Sequence, residues 1–400
     1  MQSSRDTDRS RLARPSSALT VQKFGGSSLA SPAKIARVAQ RIAAEARRGR
    51  PLVVVASAMG GRTDELVELA TAVSASPLPR ELDALLATGE CASTALLAMA
   101  LGELGVPAVS LRGWQAGIRT EGPHGHARIS SIEPRRLRAE LEAGRIPVVS
   151  GFQGLGASGD VTTLGRGGSD TTAVALAAAL GAPCEIYSDV PGVFTADPRH
   201  VAAARLVPRL GYDEMLAYAE RGASVLNDDA VATASELGVP LHARATFADV
   251  GGTLVTSEAS AAPLVGVAMR REVHRVRGRS EAVDALVSAH HRVQRRELAS
   301  GAHEALLVLA EGTPPESLEG VSLRGPFATL SVVGRRAPRL GAAIDAAIEG
   351  AGVLAHEGWT DAVSSTRLLA RGDAVTACRA VHAALLEAGV SRAAHERVSP

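Results

Sequence analysis

Residues Lys23–Ser28 read KFGGSS and stand between a short apolar run, Leu19–Phe24, and a helical pattern that begins at Ser31. Ser31 and Pro32 are typical of a helix N-cap and its first turn. Glycines let a backbone approach an anion closely, and the amides at a helix start donate hydrogen bonds to it. Because Lys23 adds a positive charge, this strand–loop–helix segment predicts an anion-binding loop.

Apolar strand-like runs alternate with helical patterns from Leu19 to about Val255. The continuous run Pro51–Ala56 (PLVVVA) is typical of a parallel strand that is covered on both faces. The alternation predicts a three-layer α/β domain with a mainly parallel sheet. In such sheets, ligands bind in the loops that follow the carboxyl ends of the strands.

A second glycine-rich loop, Gly165–Thr172 (GRGGSDTT), opens the predicted helix Thr171–Leu180. The planar fork of Arg166 suits a carboxylate, whereas Asp170 could simply cap the helix. Two anion-binding loops predict two anionic ligands that face each other, such as a nucleotide phosphate and a carboxylate substrate. Neither of these two loops carries a P-loop motif or a dinucleotide-binding GxGxxG motif.

Composition limits the function classes. The chain has 400 residues, a formal net charge of +1, 46% hydrophobic residues and 21% charged residues, which predicts a globular protein of two or three domains. The near-zero charge argues against nucleic acid or a membrane surface as the main partner. The aromatic content of 2% argues against base-stacking platforms.

The cysteines and the amino terminus indicate a cytoplasmic protein. Cys91, Cys184 and Cys378 are widely separated, so neither a disulfide framework nor a zinc site is predicted. Residues 1–18 are rich in Ser and Arg and predict a disordered tail rather than a signal peptide. We expect no apolar run that approaches the ~18 residues of a membrane span.

After about Ser257 the alternation loosens, and two small α+β modules are predicted. The first covers residues 258–325, including a strand, a helix and further strands in Val273–Leu309. The second covers residues 326–392 and has a β-α-β-β-α order, with a short strand at Val353–Leu354. Residues 19–257 form the predicted larger domain.

Ordered motifs over residues 19–255 resemble those of the aspartate kinases, which belong to the amino acid kinase superfamily. As a set, they are highly specific. The matching segments are KFGGSS (Lys23–Ser28), SAMGGRTDEL (Ser57–Leu66), TGECAS (Thr88–Ser93), QAGIRTEGPHGHARI (Gln115–Ile129), GFQG (Gly151–Gly154), GRGGSDTT (Gly165–Thr172), SDVPGVFTADPR (Ser188–Arg199) and GASVL (Gly222–Leu226).

The resemblance implies phosphorylation of the β-carboxylate of L-aspartate by ATP, with Mg²⁺ held through phosphate oxygens and water rather than by protein ligands. Lys23 would neutralise the transferring phosphoryl group, and Asp170 would orient Lys23. The implied ATP-binding residues are Lys23, Gly25, Gly26, Ser28, Ser188, Asp189, Phe194, Arg199 and Ser224. The implied substrate-binding residues are Ser27, Glu90, Phe152, Arg166, Gly167, Ser169 and Asp170.

Two of the substrate-binding residues have specific implied contacts. Glu90 would meet the α-ammonium group of aspartate, and Arg166 would hold a carboxylate. Independently of the resemblance, a carboxylate acceptor is already ionised at pH 7, so the reaction needs alignment and positive charge rather than a general base.

The sequence departs from the family at Gly222–Asp228. The family pattern Gly-Ala-Lys-Val-Leu-His-Pro reads GASVLND here, so Ser224 replaces a lysine that contacts the nucleotide. Loss of one such charge can lower a rate by ~10²–10³. Arg221, at helical spacing, is a candidate replacement. Two alternatives therefore stay open: a kinase for another amino acid carboxylate, and a weakly active or non-catalytic regulatory subunit.

The carboxyl-terminal modules resemble the paired ACT modules of aspartate kinases. The second matches best, through Ala328–Val333 followed by Gly334. The usual effector-binding Ser-Thr-Ser-Glu stretch is replaced by Trp359–Thr366 (WTDAVSST). The resemblance implies a homodimer that forms through these modules. It also implies that the reaction is the first step towards the synthesis of lysine, threonine and methionine.

Overall fold

The computed structural model describes residues 19–223, 225–289, 291–297, 300, 302–308 and 321–387. The predicted tail, residues 1–18, and Ser224 lie outside the described residues. The amino-terminal part contains, in chain order, β1 (Thr20–Phe24), α1 (Pro32–Arg47), β2 (Leu52–Ala56), α2 (Arg62–Val73), α3 (Pro79–Glu103), β3 (Ala108–Leu111), β4 (Ile118–Glu121), β5 (Arg128–Ile132), α4 (Arg135–Glu142), β6 (Ile146–Ser150), β7 (Gln153–Leu155), β8 (Val161–Thr163), α5 (Gly168–Leu180), β9 (Cys184–Ser188), β10 (Arg209–Gly211), α6 (Tyr212–Glu220), α7 (Asp228–Leu237), β11 (Leu241–Ala245) and β12 (Thr253–Thr256).

Eight of these strands form the main sheet, in the order β10-β12-β11-β9-β1-β2-β6-β3. All neighbouring pairs are parallel except β11 with β12. The predicted mainly parallel sheet is therefore confirmed. A second sheet, β5-β4-β7-β8, lies beside it.

Strand β2 shows why the domain has three layers. All five of its residues are buried. Val53 and Val55 belong to a core that contains residues of α5, α6 and α7. Leu52, Val54 and Ala56 belong to a second core, with residues of α1 and α3. Successive side chains of a strand point to opposite faces, so each face of the sheet buries apolar residues against its own helices.

Helix α3 contradicts the expectation that no apolar run approaches the length of a membrane span. Its 25 residues are long and apolar enough to cross a membrane by length and composition alone. In the fold it is a core helix: Leu97 and Leu101 pack in the second core, and Asp83 and Glu90 are buried with hydrogen-bond partners. The predicted N-cap of α1 is confirmed, since Ser31 Oγ accepts a hydrogen bond from the Lys34 amide at 3.3 Å.

The carboxyl-terminal part is built on one sheet that both predicted modules share. Its elements are β13 (Gly266–Gly278), α8 (Ser280–Ala289), β14 (His291–Glu297), β15 (His303–Val308), β16 (Val321–Val333), α9 (Gly341–Gly350), β17 (Ala355–Thr360), β18 (Ser364–Leu369) and α10 (Ala374–His382). The strand order is β14-β15-β13-β16-β18-β17.

The long strand β13 explains how the two modules join. Its first residues pair with the end of β16, and Val267 packs in one core with Leu330 and Ile344. Its last residues pair with the start of β16 and with β15. The predicted β-α-β-β-α order is confirmed from β16 to α10. The predicted strand Val353–Leu354 is placed two residues too early: the Val353 amide still donates to the Ile348 carbonyl oxygen of α9, and β17 begins at Ala355.

Candidate active site

A cleft of about 750 Å³ opens where β1, β2 and β6 end, at the carboxyl edge of the main sheet. This is the position that a parallel sheet predicts for a ligand. Both glycine-rich loops contribute to its wall. Of the residues predicted from the sequence, the cleft is lined by Lys23, Gly26, Glu90, Phe152, Arg166, Gly167, Ser169 and Asp170.

The loop after β1 fits against the loop after β2 because both carry glycine. A Cβ on Gly26 would lie 3.0 Å from the carbonyl oxygen of Ala58 and 3.6 Å from Cα of Gly60. Any larger residue at position 26 would push the two backbones apart. The glycines thus bring two separate motifs to one wall of the cleft.

Lys23 and Asp170 form an ion pair at this wall. Lys23 is the fourth residue of β1, and Asp170 lies in the first turn of α5. Lys23 Nζ lies 2.6 Å from Asp170 Oδ1, and the two side chains are only 11% and 14% exposed. The amino end of a helix favours a negative charge. Asp170 is therefore held in place and fixes the position of the lysine ammonium group.

Glu90 projects from α3 into the cleft and lacks a full set of partners. Glu90 Oε1 accepts a hydrogen bond from the Ala58 amide at 3.0 Å. Glu90 Oε2 is buried and has no hydrogen-bond partner among the described residues. Burial raises the pKa of Glu90 to about 7, although the nearby Lys23 charge lowers it. An ammonium group in the cleft would satisfy Oε2 and favour the ionised carboxylate.

Arg166 is exposed at the edge of the cleft and forms no ion pair with any residue in the described part of the chain. Its neighbours Gly165 and Gly167 have φ values of 78° and 74°. A Cβ on Gly167 would lie 2.1 Å from Nδ2 of Asn227, whose Oδ1 accepts the Ala230 amide at 3.0 Å and caps α7. Asn227 therefore packs directly behind the loop that carries Arg166.

Phe152 has an unusual backbone conformation. Its φ of 67° is the one positive φ of a non-glycine residue in the part of the chain that the structure describes. Its amide donates to Thr172 Oγ1 at 3.1 Å, and a Cβ on Gly168 would lie 3.0 Å from its ring. Such strain persists only where the surroundings hold it, and it clusters at functional sites.

The remaining predicted nucleotide-binding residues do not line this cleft. Ser28 is buried, and its Oγ lies 2.6 Å from Thr246 Oγ1. The Thr246 amide donates to the Ser188 carbonyl oxygen at 2.8 Å, and the Gly25 amide donates to Tyr187. The loop after β1 is thus joined to the end of β9 and to the loop after β11. The described residues in this group are Gly25, Ser28, Ser188, Asp189, Phe194 and Arg199, and the predicted substrate-binding residue Ser27 does not line the cleft either.

Four of these residues have local settings that can be described. Ser27 is exposed, and its carbonyl oxygen accepts a hydrogen bond from Lys34 Nζ at 2.8 Å. Phe194 is half-buried, and its carbonyl oxygen accepts from Tyr218 Oη at 2.8 Å. Arg199 is exposed and binds Asp197, with Nη2 2.7 Å from Oδ2. Asp189 is exposed. The role of Ser27 in substrate binding and the roles of Asp189, Phe194 and Arg199 in nucleotide binding stay predictions.

Arg221 does not replace the missing lysine in this structure. Helix α6 ends at Glu220, so the helical spacing from 221 to 224 does not hold. The Arg221 side chain is buried; its Nη1 donates to the Ala217 carbonyl oxygen at 2.8 Å, and its Nη2 contacts Asp361 of the carboxyl-terminal part. Arg221 therefore links the two parts of the chain and lies outside the cleft.

Sequence reasoning missed Asp83, His124, His126 and Thr163, which also line the cleft. His124 and His126 lie within a motif that was recognised, but no role was assigned to either. Asp83 precedes Glu90 by two helical turns, which places both carboxylates on one face of α3. That spacing between two carboxylates on one face of a largely apolar helix is the signal that could have found Asp83.

The parallel sheet, its two glycine-rich loops and the Lys–Asp pair define an α/β protein with a cleft for anionic ligands. Residues 18–243 match the amino acid kinase family, and the chain belongs to that family. The chain is 56% identical to aspartokinase 2 of Bacillus subtilis (strain 168) over 243 residues, which are 60% of each protein. It is 53% identical to the aspartokinase of Geobacillus stearothermophilus over 262 residues, which are 64% of each. The matched region thus spans about three fifths of these curated relatives.

Two solved structures extend the likeness to the carboxyl-terminal part. Aspartokinase III of E. coli, in complex with aspartate and ADP, superposes with a TM-score of 0.79 over 92% of this chain and 99% of that one, at 23% identity. This likeness concerns the fold. Aspartate kinase from Synechocystis has a TM-score of 0.55 at 34% identity, over 92% of this chain and 69% of that one.

Proposed function

We propose that this chain is an aspartate kinase, which transfers the γ-phosphoryl group of ATP to the β-carboxylate of L-aspartate. The observation that carries the proposal is the buried, unpartnered Oε2 of Glu90 in the cleft that also contains the Lys23–Asp170 pair. A buried carboxylate oxygen without a partner favours a cationic ligand group. The cleft thus offers one site for an ammonium group beside a site for a transferred phosphoryl group. The aspartokinase names of the relatives support this choice of substrates.

The chemistry requires little of the protein beyond placement. A β-carboxylate oxygen forms a bond to the γ-phosphorus, and the bond from that phosphorus to the β,γ-bridging oxygen breaks. The electron pair leaves with ADP, and the products are ADP and 4-phospho-L-aspartate. Lys23 neutralises charge on the transferring group, and the amino end of α5 adds its positive dipole. We assign the α-carboxylate of the substrate to Arg166 and its α-ammonium group to Glu90.

The residues present fit a Mg²⁺ ion that is carried by the nucleotide. No group of three or more His, Cys, Asp or Glu side chains suited to a metal ion occurs among the described residues, and Asp170 is engaged by Lys23. Mg²⁺ commonly keeps several waters and binds through substrate phosphates, and it would supply further positive charge to them. We assign it no protein ligand.

The wider setting follows from the same proposal. The product would feed the synthesis of lysine, threonine and methionine, and the enzyme would act in the cytoplasm. We assign residues 19–257 to the catalytic domain and residues 258–325 and 326–392 to two ACT-like modules through which two copies pair. The boundary at residues 325 and 326 falls inside β16, which both modules share.

A hydroxylamine-trapping assay tests the activity. The chain is incubated with ATP, Mg²⁺ and hydroxylamine, with L-aspartate, L-glutamate or N-acetyl-L-aspartate as acceptor. We expect hydroxamate from L-aspartate and little from the acetylated acid, because that acid cannot offer an ammonium group to Glu90. Hydroxamate from another acid but not from L-aspartate would replace the substrate. No hydroxamate from any acid, together with no ATP binding by calorimetry, would indicate a non-catalytic chain.

A further inference from the structure

We infer that Asp83 is a positioning residue that holds the substrate side of the cleft in shape, in particular the loop that carries Arg166. This inference rests on the proposed function for its kinetic test. Asp83 lies on α3, two turns before Glu90, and is 1% exposed. It contacts neither the Lys23–Asp170 pair nor Glu90 in the described contacts, so its effect must pass through other residues.

The Asp83 carboxylate joins two separate segments. From the loop after β4, His124 Nδ1 lies 2.9 Å from Oδ2, and the Gly125 amide lies 3.0 Å from both carboxylate oxygens. From β8, the Thr163 amide donates to Oδ2 at 3.0 Å and Thr163 Oγ1 donates to Oδ1 at 2.6 Å. A buried carboxylate that receives this many donors is well satisfied, and removal of its charge leaves some of those donors without an acceptor.

The segments held by Asp83 form the surface against which the Arg166 loop packs. A Cβ on Gly165 would lie 3.3 Å from the Gly125 carbonyl oxygen and 3.3 Å from His126 Nδ1. Gly165 directly precedes Arg166 and follows Leu164, the residue after β8. The Asp83 carboxylate therefore fixes both the strand that leads into the loop and the wall on which the loop rests. A shift of either one moves the guanidinium that grips the substrate carboxylate.

Asp83→Asn is the test variant, because it keeps the size of the side chain and replaces one acceptor oxygen by an NH2 donor. Asp160→Asn is the matched control. Asp160 lies just before β8, and its Oδ1 is 2.9 Å from Nη2 of Arg80, which lies on α3 as Asp83 does. Asp160 is more exposed than Asp83 and lies outside the cleft. We expect Asp83→Asn to raise the KM for aspartate at least tenfold, while the KM for ATP stays within twofold. Asp160→Asn should change neither constant by more than twofold.

Combination with Arg166→Ala separates positioning from general damage. If Asp83 acts through Arg166, Asp83→Asn should raise the KM for aspartate less than threefold in the Arg166→Ala background. An equal rise in both backgrounds, or a parallel loss of aspartate and ATP binding, would overturn the inference. Where Asp83→Asn fails to fold, Thr163→Val removes one of the bonds to Asp83 and should give a smaller rise in the same direction.

Amide hydrogen exchange tests the same contacts without any activity. Asp83→Asn should speed exchange at Gly125 and Thr163 at least tenfold and leave the amides of β1 unchanged. Unchanged exchange at both positions contradicts the inference. If the wild-type chain makes no hydroxamate, the proposed function fails, but this measurement still decides whether Asp83 holds the loop.

Discussion

Lys23 Nζ and Asp170 Oδ1 lie 2.6 Å apart and connect a central strand of the sheet, β1, to the amino end of α5. The two residues are 147 positions apart in sequence, so only the fold brings them together. Since both side chains are nearly buried, water screens the pair weakly. The ammonium group is thereby fixed at the edge where the parallel sheet places its ligand, and the proposed reaction depends on this position.

The buried Glu90 carboxylate should cost stability at high pH. Burial raises its pKa to about 7, above the ordinary value of 4.5, so protonated Glu90 stabilises the fold at low pH. That contribution is lost as the pH rises through the folded pKa. Glu90→Gln cannot ionise, and we expect it to exceed wild type in the free energy of unfolding at pH 8 by on the order of 2–3 kcal/mol. Urea denaturation at pH 4 and pH 8 measures the difference, which should nearly vanish at pH 4, where Glu90 is mostly protonated in both the folded and the unfolded state.

Glu140→Gln provides a control of opposite sign. A hydrogen bond from Arg145, and a second one from Arg136, hold the pKa of Glu140 below its ordinary value. Its ionised form therefore stabilises the fold above pH 4.5, and the contribution is lost as the pH falls through the folded pKa. Glu140→Gln should be less stable than wild type at pH 8. A destabilised Glu90→Gln at pH 8 would contradict the assignment of Glu90 as an unpartnered buried carboxylate.

The left-handed backbone of Phe152 predicts an unusual order of stability. Alanine at a φ of 67° keeps the strain of an L-residue, whereas glycine relieves it. Phe152→Gly should therefore be more stable than Phe152→Ala by about 1 kcal/mol. Both should raise the KM for aspartate, because the ring lines the cleft. At Phe194, which has no positive φ, thermal denaturation should give the reverse order of the two variants.

The contact between Arg221 and Asp361 should stabilise the join between the two parts of the chain. Arg221 is 4% exposed and Asp361 is 35% exposed. Asp361→Asn keeps Oδ1 for the Val363 and Ser364 amides but removes the charge. We expect a loss of about 1–3 kcal/mol in the free energy of unfolding. The KM for ATP should stay within twofold.

The exposed pair of Arg209 and Glu258 serves as the control for that contact. Glu258→Gln should change the stability by less than about 0.5 kcal/mol, because exposed pairs contribute little. A large rise in the KM for ATP on Asp361→Asn would instead show that Arg221 acts on the nucleotide, against its buried position.

Ser224 lies outside the described residues, and its effect is a prediction from the sequence. If the lost lysine limits the rate, Ser224→Lys should raise kcat about tenfold or more, because it restores a positive charge near the transferring group. Ser224→Met adds a similar length without charge and should not raise kcat. Steady-state rates at saturating ATP and aspartate decide this, and an unchanged kcat in Ser224→Lys would mean that another group supplies the charge.

The parts of the site that sequence reasoning found are those with a local pattern. Lys23, Glu90 and Asp170 lie in short motifs at the end of a strand or on a recognised helix, and the structure places all three in one cleft. Asp83 was missed because its partners lie 41, 42 and 80 residues away, and nothing near it in sequence shows this.

The errors also have physical causes. Arg221 was a candidate replacement for the lysine missing at position 224. The structure does not support that role, because α6 ends at Glu220 and helical spacing does not relate residues 221 and 224. The expectation that no apolar run approaches the length of a membrane span was wrong for α3. A long core helix that packs between a sheet and other helices can be as apolar as a membrane span. The shared sheet of the two small modules was not predictable from local order, since β13 pairs with both halves of β16.

Replacement of Lys23 is the most direct test of the central claim, because the sequence contains only two lysines, Lys23 and Lys34. Lys34 lies on α1, is half-buried and donates to the Ser27 carbonyl oxygen outside the cleft, and it is the matched control. In the hydroxylamine-trapping assay with L-aspartate, Lys23→Ala should lower kcat by at least about 100-fold with unchanged circular dichroism, while Lys34→Ala stays within about threefold of wild type. A folded Lys23→Ala variant with near-normal turnover would contradict the account.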